Sequence, residues 1–146
     1  MNISFLGKGS SAAALRLAEI LKEGYKETAV ITAGAAVGEP DILAVLSPGR
    51  KAKCKMLIAP AEMDLPKVLC ERRLFCGMSS EDDVTVSSMG DGECVAELRR
   101  EMKTLSGRIV DRCEVRIKKG KGMSPEALLA VAGCALMLDV LTDKME

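Results

Sequence analysis

Short apolar runs open the chain and recur at close intervals. Residues 3–6 (Ile-Ser-Phe-Leu) predict a first strand, and residues 29–32, 42–46 and 56–59 predict three more. These runs are nearly continuous rather than alternating, which suits strands buried on both faces of a parallel sheet. Between the first two, Ala14, Leu17, Ala18 and Leu21 fall on one face at helical spacing, so a helix is expected over residues 11–22, with Gly24 as its stop signal. Ser47-Pro48-Gly49 ends the third strand and Pro60 the fourth. A short helix is expected over residues 65–70 and a fifth strand over residues 74–77.

The pattern then changes to period two. Residues 84–87, 94–98 and 112–118 alternate, as half-exposed antiparallel strands do. In the last of these Cys113, Val115 and Ile117 would face inward, and Arg112, Glu114, Arg116 and Lys118 would face water. Asp91-Gly92 is a hairpin turn signal. Ser124-Pro125 reads as a helix N-cap followed by proline at the first helical position. That helix runs to about Leu141 and is apolar on nearly every side, so it is buried, either under the sheet or against a partner. Its uncharged run, residues 127–138, is shorter than the roughly 20 residues a membrane span needs. Together these elements describe one α/β domain over residues 1–146: a mainly parallel sheet of about five strands with helices, layered like P-loop and Rossmann folds, and an antiparallel extension.

Residues 33–41 are too few for an ordinary helical crossover between the second and third strands. One sheet face would therefore lack helices, and self-association is the expected covering. A homo-oligomer or a protein partner follows from that face and from the last helix.

Composition narrows the chemistry. Lys plus Arg equals Asp plus Glu, 21 against 21, leaving no electrostatic footprint for nucleic acid or an anionic membrane. Phe5, Tyr25 and Phe75 are the only aromatics, too few for a base-stacking platform. Histidine is absent, which removes the commonest general base and metal ligand. The six cysteines show no C-x-x-C spacing, and the N-terminus shows no secretory pattern. Free thiols in a reducing cytoplasm are expected. Cys54 alone is flanked by positive charge, from Lys53 and Lys55, and a strand-edge position accounts for it equally. Glu81-Asp82-Asp83 lacks the ligand spacing of a calcium loop and reads as a solvated turn. The basic stretches at Arg99-Arg100 with Lys103, and at Lys118-Lys119 with Lys121, read as solvated edges, and the methionines as core filler. No metal site and no catalytic constellation is expected.

The candidate binding site is Gly7-Lys8-Gly9-Ser10-Ser11, between the first strand and the first helix. Strand–glycine turn–helix aims unpaired amides and the positive end of a helix dipole at one point, which suits phosphate. Gly7, Gly9 and Ala12 meet the dinucleotide spacing G-x-G-x-x-G/A, but the acidic residue expected about 20 positions on is missing from Val30-Ile31-Thr32-Ala33-Gly34. The Walker pattern is not met, since Lys8 precedes Gly9. A tight turn with no ligand and a phosphate or nucleotide site both remain open.

Three stretches taken together resemble the central ATP-binding domain of the Mur ligases and folylpolyglutamate synthases. Residues 3–21 resemble the family's strand, P-loop and helix. Leu74-Phe75-Cys76-Gly77 and the Asp83-Val84-Thr85-Val86 that follows resemble its threonine-tyrosine-glycine strand end and the next strand. Residues 120–132 resemble the stretch opening its last helix, with matches at Gly120, Ala127, Leu128, Ala130 and Ala132. The resemblance implies an ATP-binding α/β domain and ligation through an acyl-phosphate. The departures fall on that chemistry. Lys8 and Ser10 are split by Gly9, Gly122 and Met123 stand at the family's histidine-asparagine pair, and Glu126 stands at its nucleotide-contacting asparagine. No counterpart of the family's flanking domains lies in this sequence. The expectation is a non-catalytic, ligase-like bacterial protein without a bound cofactor. It would be an oligomerising or partner-binding module with weak binding of ATP, ADP or another phosphate ligand at Gly7–Ser11. The alternatives are a small nucleotide-dependent enzyme and a dinucleotide-binding protein.

Overall fold

The computed structural model describes residues 1–25, 27–36, 38–48, 51–90, 92–120 and 122–140. Gly49, Asp91, Lys121 and the expected helix end at Leu141 lie outside the described residues.

The first strand, β1 (Asn2–Leu6), leads through the glycine turn into α1 (Ser10–Gly24). Next come β2 (Val30–Ala33), β3 (Ile42–Val45), β4 (Ala52–Ala59) and β5 (Val68–Phe75). These five make one sheet in the order β2-β1-β3-β4-β5, every neighbouring pair parallel. β1, β3 and β4 are the interior strands, and Ile3–Leu6, Ile42–Val45 and residues 56–59 are buried throughout, as continuous apolar runs require. β2 lies at a border and is half-exposed.

The chain then forms an antiparallel sheet, β10-β7-β6, from β6 (Val84–Gly90), β7 (Glu93–Leu98) and β10 (Cys113–Lys118). A two-stranded hairpin, β8 (Met102–Lys103) with β9 (Ile109–Val110), sits between β7 and β10. A single parallel bridge, Cys76 to Val84, ties the two larger sheets together.

Helix α2 (Pro125–Met137) closes the chain. Ser124 caps it as expected, its Oγ accepting the Ala127 amide at 3.2 Å. Residues 127–137 are all buried, and α2 packs against α1 and both large sheets. The helix that reads as apolar on every side is thus enclosed by its own chain. Each buried Leu or Val here contributes about 1.5–3 kcal/mol relative to exposure. At its C-terminus Val140 N–H bonds Ala135 C=O at 3.0 Å and Asp139 N–H bonds Leu136 C=O at 3.2 Å. Asp139 occupies the left-handed position (φ 59°) usual for glycine, held by Arg108 Nε at 3.1 Å and by Ser106.

Three expectations need correction. No helix covers residues 65–70, and the fifth strand spans Val68–Phe75 rather than residues 74–77. Leu65 turns inward, and Arg72 and Arg73 reach out of the strand to grip loop carbonyls. Cys54 is not at a sheet edge, because β4 lies between β3 and β5. The second sheet face is also not bare. Leu43, Val45, Leu57 and Ala59 are buried on it beneath Met63 and Leu65 of the β4–β5 loop, with Ala36 beside them. Arg73 pins that loop by donating from Nη2 to Pro60 O at 2.9 Å and to Met63 O at 3.1 Å, while its guanidinium stacks 4.8 Å from the Phe75 ring centre. A loop of the same chain thus covers the face that the short β2–β3 connection predicts to be bare.

Candidate functional site

The strand order puts a change of direction between β1 and β3. The chain leaves β1 through α1 toward β2 on one side, while β3 continues the sheet on the other. In open α/β sheets of this order, ligands bind at the carboxyl ends of the strands flanking that point. Gly7–Ser11 emerges there, from the carboxyl end of β1.

The turn is held by hydrogen bonds to the two residues that follow β3. Leu46 N–H donates to Leu6 O at 2.8 Å, and Lys8 N–H donates to Ser47 Oγ at 3.2 Å. Gly7 has φ +102°, and a Cβ there would lie 2.3 Å from Ser47 Oγ and 2.5 Å from Ser47 N. Only glycine fits, because the neighbouring turn occupies the space and the conformation is left-handed. Gly9, also left-handed at φ +89°, starts α1 without a capping side chain. Ser10 N–H is taken by Gly7 O at 3.2 Å, and Ala13 N–H by Gly9 O at 3.1 Å.

That accounting divides the five predicted residues. Gly7 and the buried Ser10 form the turn itself, and the Lys8 amide is spent on Ser47. The amides of Gly9, Ser11 and Ala12 donate to no described residue. Lys8 and Ser11 are exposed, and Lys8 joins no ion pair among the described residues. The first turn of α1 carries no acidic side chain. The helix start therefore offers three unspent amide donors, with the exposed side chains of Lys8 and Ser11 on the same short segment, a set that suits an anion.

Sequence reasoning missed a cavity of about 60 Å³ beside this turn, between the carboxyl ends of β3 and β4 and the start of α2. Leu46, Ile58, Pro60, Met63 and Ala130 give it apolar walls, and Glu126 is its one charged lining residue. Leu46 belongs to both features, since its Cδ1 lies 3.9 Å from where a Cβ on Gly9 would stand. Nothing in the one-dimensional pattern marks this space, because its walls come from four separate segments.

The acidic cluster requires a correction. Asp82 and Asp83 are buried, at 3% and 2% exposure, and only Glu81 is solvated. Asp82 Oδ1 accepts the Ala61 amide at 2.8 Å, and Oδ2 accepts the Ser79 amide at 2.9 Å and Ser79 Oγ at 2.8 Å. Asp83 Oδ2 accepts the Phe75 amide at 2.9 Å, and its Oδ1 pairs with Arg100. The neighbouring Arg99 donates to Ser80 O at 3.1 Å. These carboxylates fasten the β5–β6 turn to the β4 exit and to the end of β7. Arg99 and Arg100 complete the clasp, so they are more than a solvated edge. Among the described residues no three His, Cys, Asp or Glu side chains gather to hold a metal ion.

Four of the six cysteines are buried, and no disulfide links any among the described residues. Burial pushes the Cys54 thiol up to about 12 and also raises Cys76 and Cys134 well above the ordinary range. Thiols held protonated in this way are poor nucleophiles. Among the described residues no helix is long and apolar enough to cross a membrane. Comparison with protein-family models and with curated proteins gives no match for this chain.

Proposed function

We propose that this chain is a non-catalytic, ligase-like module that holds the phosphate of a nucleotide such as ATP or ADP, or of another small phosphate-bearing ligand, on the Gly7–Ser11 turn. The observation that carries the reading is the unspent donor set of Gly9, Ser11 and Ala12 amides with the Lys8 ammonium, at the point where the strand order reverses. The non-catalytic part rests on Asp82 and Asp83. An ATP-dependent ligase needs carboxylates free to position magnesium on the triphosphate. These two are already occupied by amides, Ser79 Oγ and Arg100. The dinucleotide alternative lacks its ribose-binding acid, since β2 ends at Ala33 and Gly34 follows it.

Isothermal titration with ADP, ATP and inorganic phosphate, with and without magnesium, tests the reading. Saturable binding that weakens tenfold or more in Lys8→Ala is expected, with no turnover of ATP. Release of phosphate by the wild type that Lys8→Ala abolishes would instead establish the enzymatic alternative. Absence of binding at millimolar ligand would remove the proposal.

Association with a partner or a second copy is the other reading, favoured by the outer edge of β5. Leu69 there is 65% exposed, and Cys70 and Glu71 beside it are exposed too. Exposed strand edges are templates for pairing with another chain. Sedimentation of the wild type and of Leu69→Lys separates the outcomes. A dimer lost in the variant supports edge pairing, and a monomer in both opposes it.

A further inference from the structure

We propose that Cys54 and Cys70 form a reversible redox staple between β4 and β5. The two are register partners on adjacent parallel strands. Neighbouring strands lie about 4.8 Å apart, within the 4.4–6.8 Å Cα separation that a disulfide spans, and register partners project to the same side of the sheet. Cys70 is exposed and Cys54 is buried beside it at 1% exposure. One thiol can therefore meet a solution oxidant, and the other is held next to it as the resolving group.

The other cysteines lack this arrangement. Cys76 and Cys134 are both buried in the core. Cys94 stands opposite Met89 and Ile117, and Cys113 stands opposite Leu98.

The oxidant is a low-molecular-weight disulfide of the glutathione class. Cys70 thiolate attacks one sulfur of the oxidised glutathione and expels one glutathione thiolate, leaving a mixed disulfide on Cys70. Burial keeps Cys54 protonated and slow toward reagents in solution, but strand pairing holds it beside the mixed disulfide. It then gives up its proton to solvent as its sulfur attacks Cys70 Sγ and expels the second glutathione thiolate. Two protein thiols are oxidised and one glutathione disulfide is reduced to two thiols. The staple fixes the amino-terminal halves of β4 and β5, at the opposite end of the strands from the Gly7–Ser11 turn, so it does not depend on the function of that turn.

Folded wild-type protein incubated with oxidised glutathione and mapped by mass spectrometry decides the matter. The expected product is a Cys54–Cys70 crosslink, with loss of two hydrogens, two fewer titratable thiols, a melting temperature higher by several degrees, and reversal by dithiothreitol. Cys113, half-buried and opposite a leucine, serves as internal control and gives a mixed disulfide at most. In Cys70→Ser, Cys54 should stay a free thiol. Three results would overturn the proposal: Cys70 stopping as the glutathione adduct in the wild type, no reaction at Cys70, or a crosslink that appears only after denaturation.

Discussion

Gly133 lies in the middle of α2, where glycine ordinarily weakens a helix by about 0.8–1.0 kcal/mol relative to alanine. Propensity alone therefore predicts that Gly133→Ala stabilises the protein. The packing predicts the reverse. A Cβ at position 133 would lie 2.6 Å from Cys76 Sγ and 3.3 Å from both Ile58 Cγ2 and Leu74 Cδ2. Ordinary contact is about 3.5–4.0 Å, so the sulfur is roughly 1 Å too close. Cys76 is 4% exposed and cannot swing into solvent, so its sulfur must take another buried rotamer or the helix and the chain just after β5 must separate. Overpacking of this kind costs about 1–3 kcal/mol, and here it exceeds the propensity gain. The net expectation is a loss of up to about 2 kcal/mol, read from the urea midpoint by circular dichroism. Cys76→Ala removes the offending sulfur, so a double-mutant cycle should show favourable coupling of about 1 kcal/mol or more between the two substitutions. Stabilisation by Gly133→Ala alone, or additive behaviour of the pair, would refute the close approach of α2 to β5.

Other substitutions probe the remaining junctions. Gly7→Ala should cost about 2–4 kcal/mol through left-handed strain and collision with Ser47, and a change below 0.5 kcal/mol in the urea midpoint would contradict the β1–β3 packing. Asp82→Ala strands the amides of Ala61 and Ser79 and should cost about 3 kcal/mol in the same assay, whereas a freely solvated turn would lose almost nothing. The Asp41 carboxyl is held below its ordinary value, first by the Asn2 amide at 2.8 Å and then by Lys55 at 3.2 Å, against an opposing contribution from its partial burial. Its contribution to stability is therefore present above the unfolded value of 3.8 and lost as pH falls through the lower folded one. Melting curves of wild type and Asp41→Asn should diverge near neutrality and converge in acid, and a gap independent of pH would oppose that assignment.

The elements with a strong local signature were legible in the sequence. β1, the glycine turn and α1 follow from one apolar run, two glycines and helical spacing, and α2 from a Ser-Pro start and an unbroken apolar stretch. Only the carboxyl end of β5 was legible, because Glu71, Arg72 and Arg73 interrupt its apolar pattern at a sheet border where charged side chains reach solvent or loops. The β8–β9 hairpin is too short to leave a period. Cover of the second sheet face by Met63 and Leu65 depends on Arg73 pinning a loop, a tertiary fact with no local marker. Asp82 and Asp83 read as solvent-facing because isolated carboxylates usually are, and their burial depends on amides from other segments. At the candidate site the sequence located the turn, but not which of its donors the fold leaves unspent, nor the cavity next to Leu46.

The most direct test is an amide-resolved NMR titration of ¹⁵N-labelled protein with ADP and with inorganic phosphate. Phosphate held at the start of α1 should move the amides of Gly9, Ser11 and Ala12 furthest and saturably, with Lys8 less affected because its amide already bonds Ser47. Amide positions that stay fixed at the turn through millimolar ligand, or that move chiefly elsewhere, would contradict a phosphate site there.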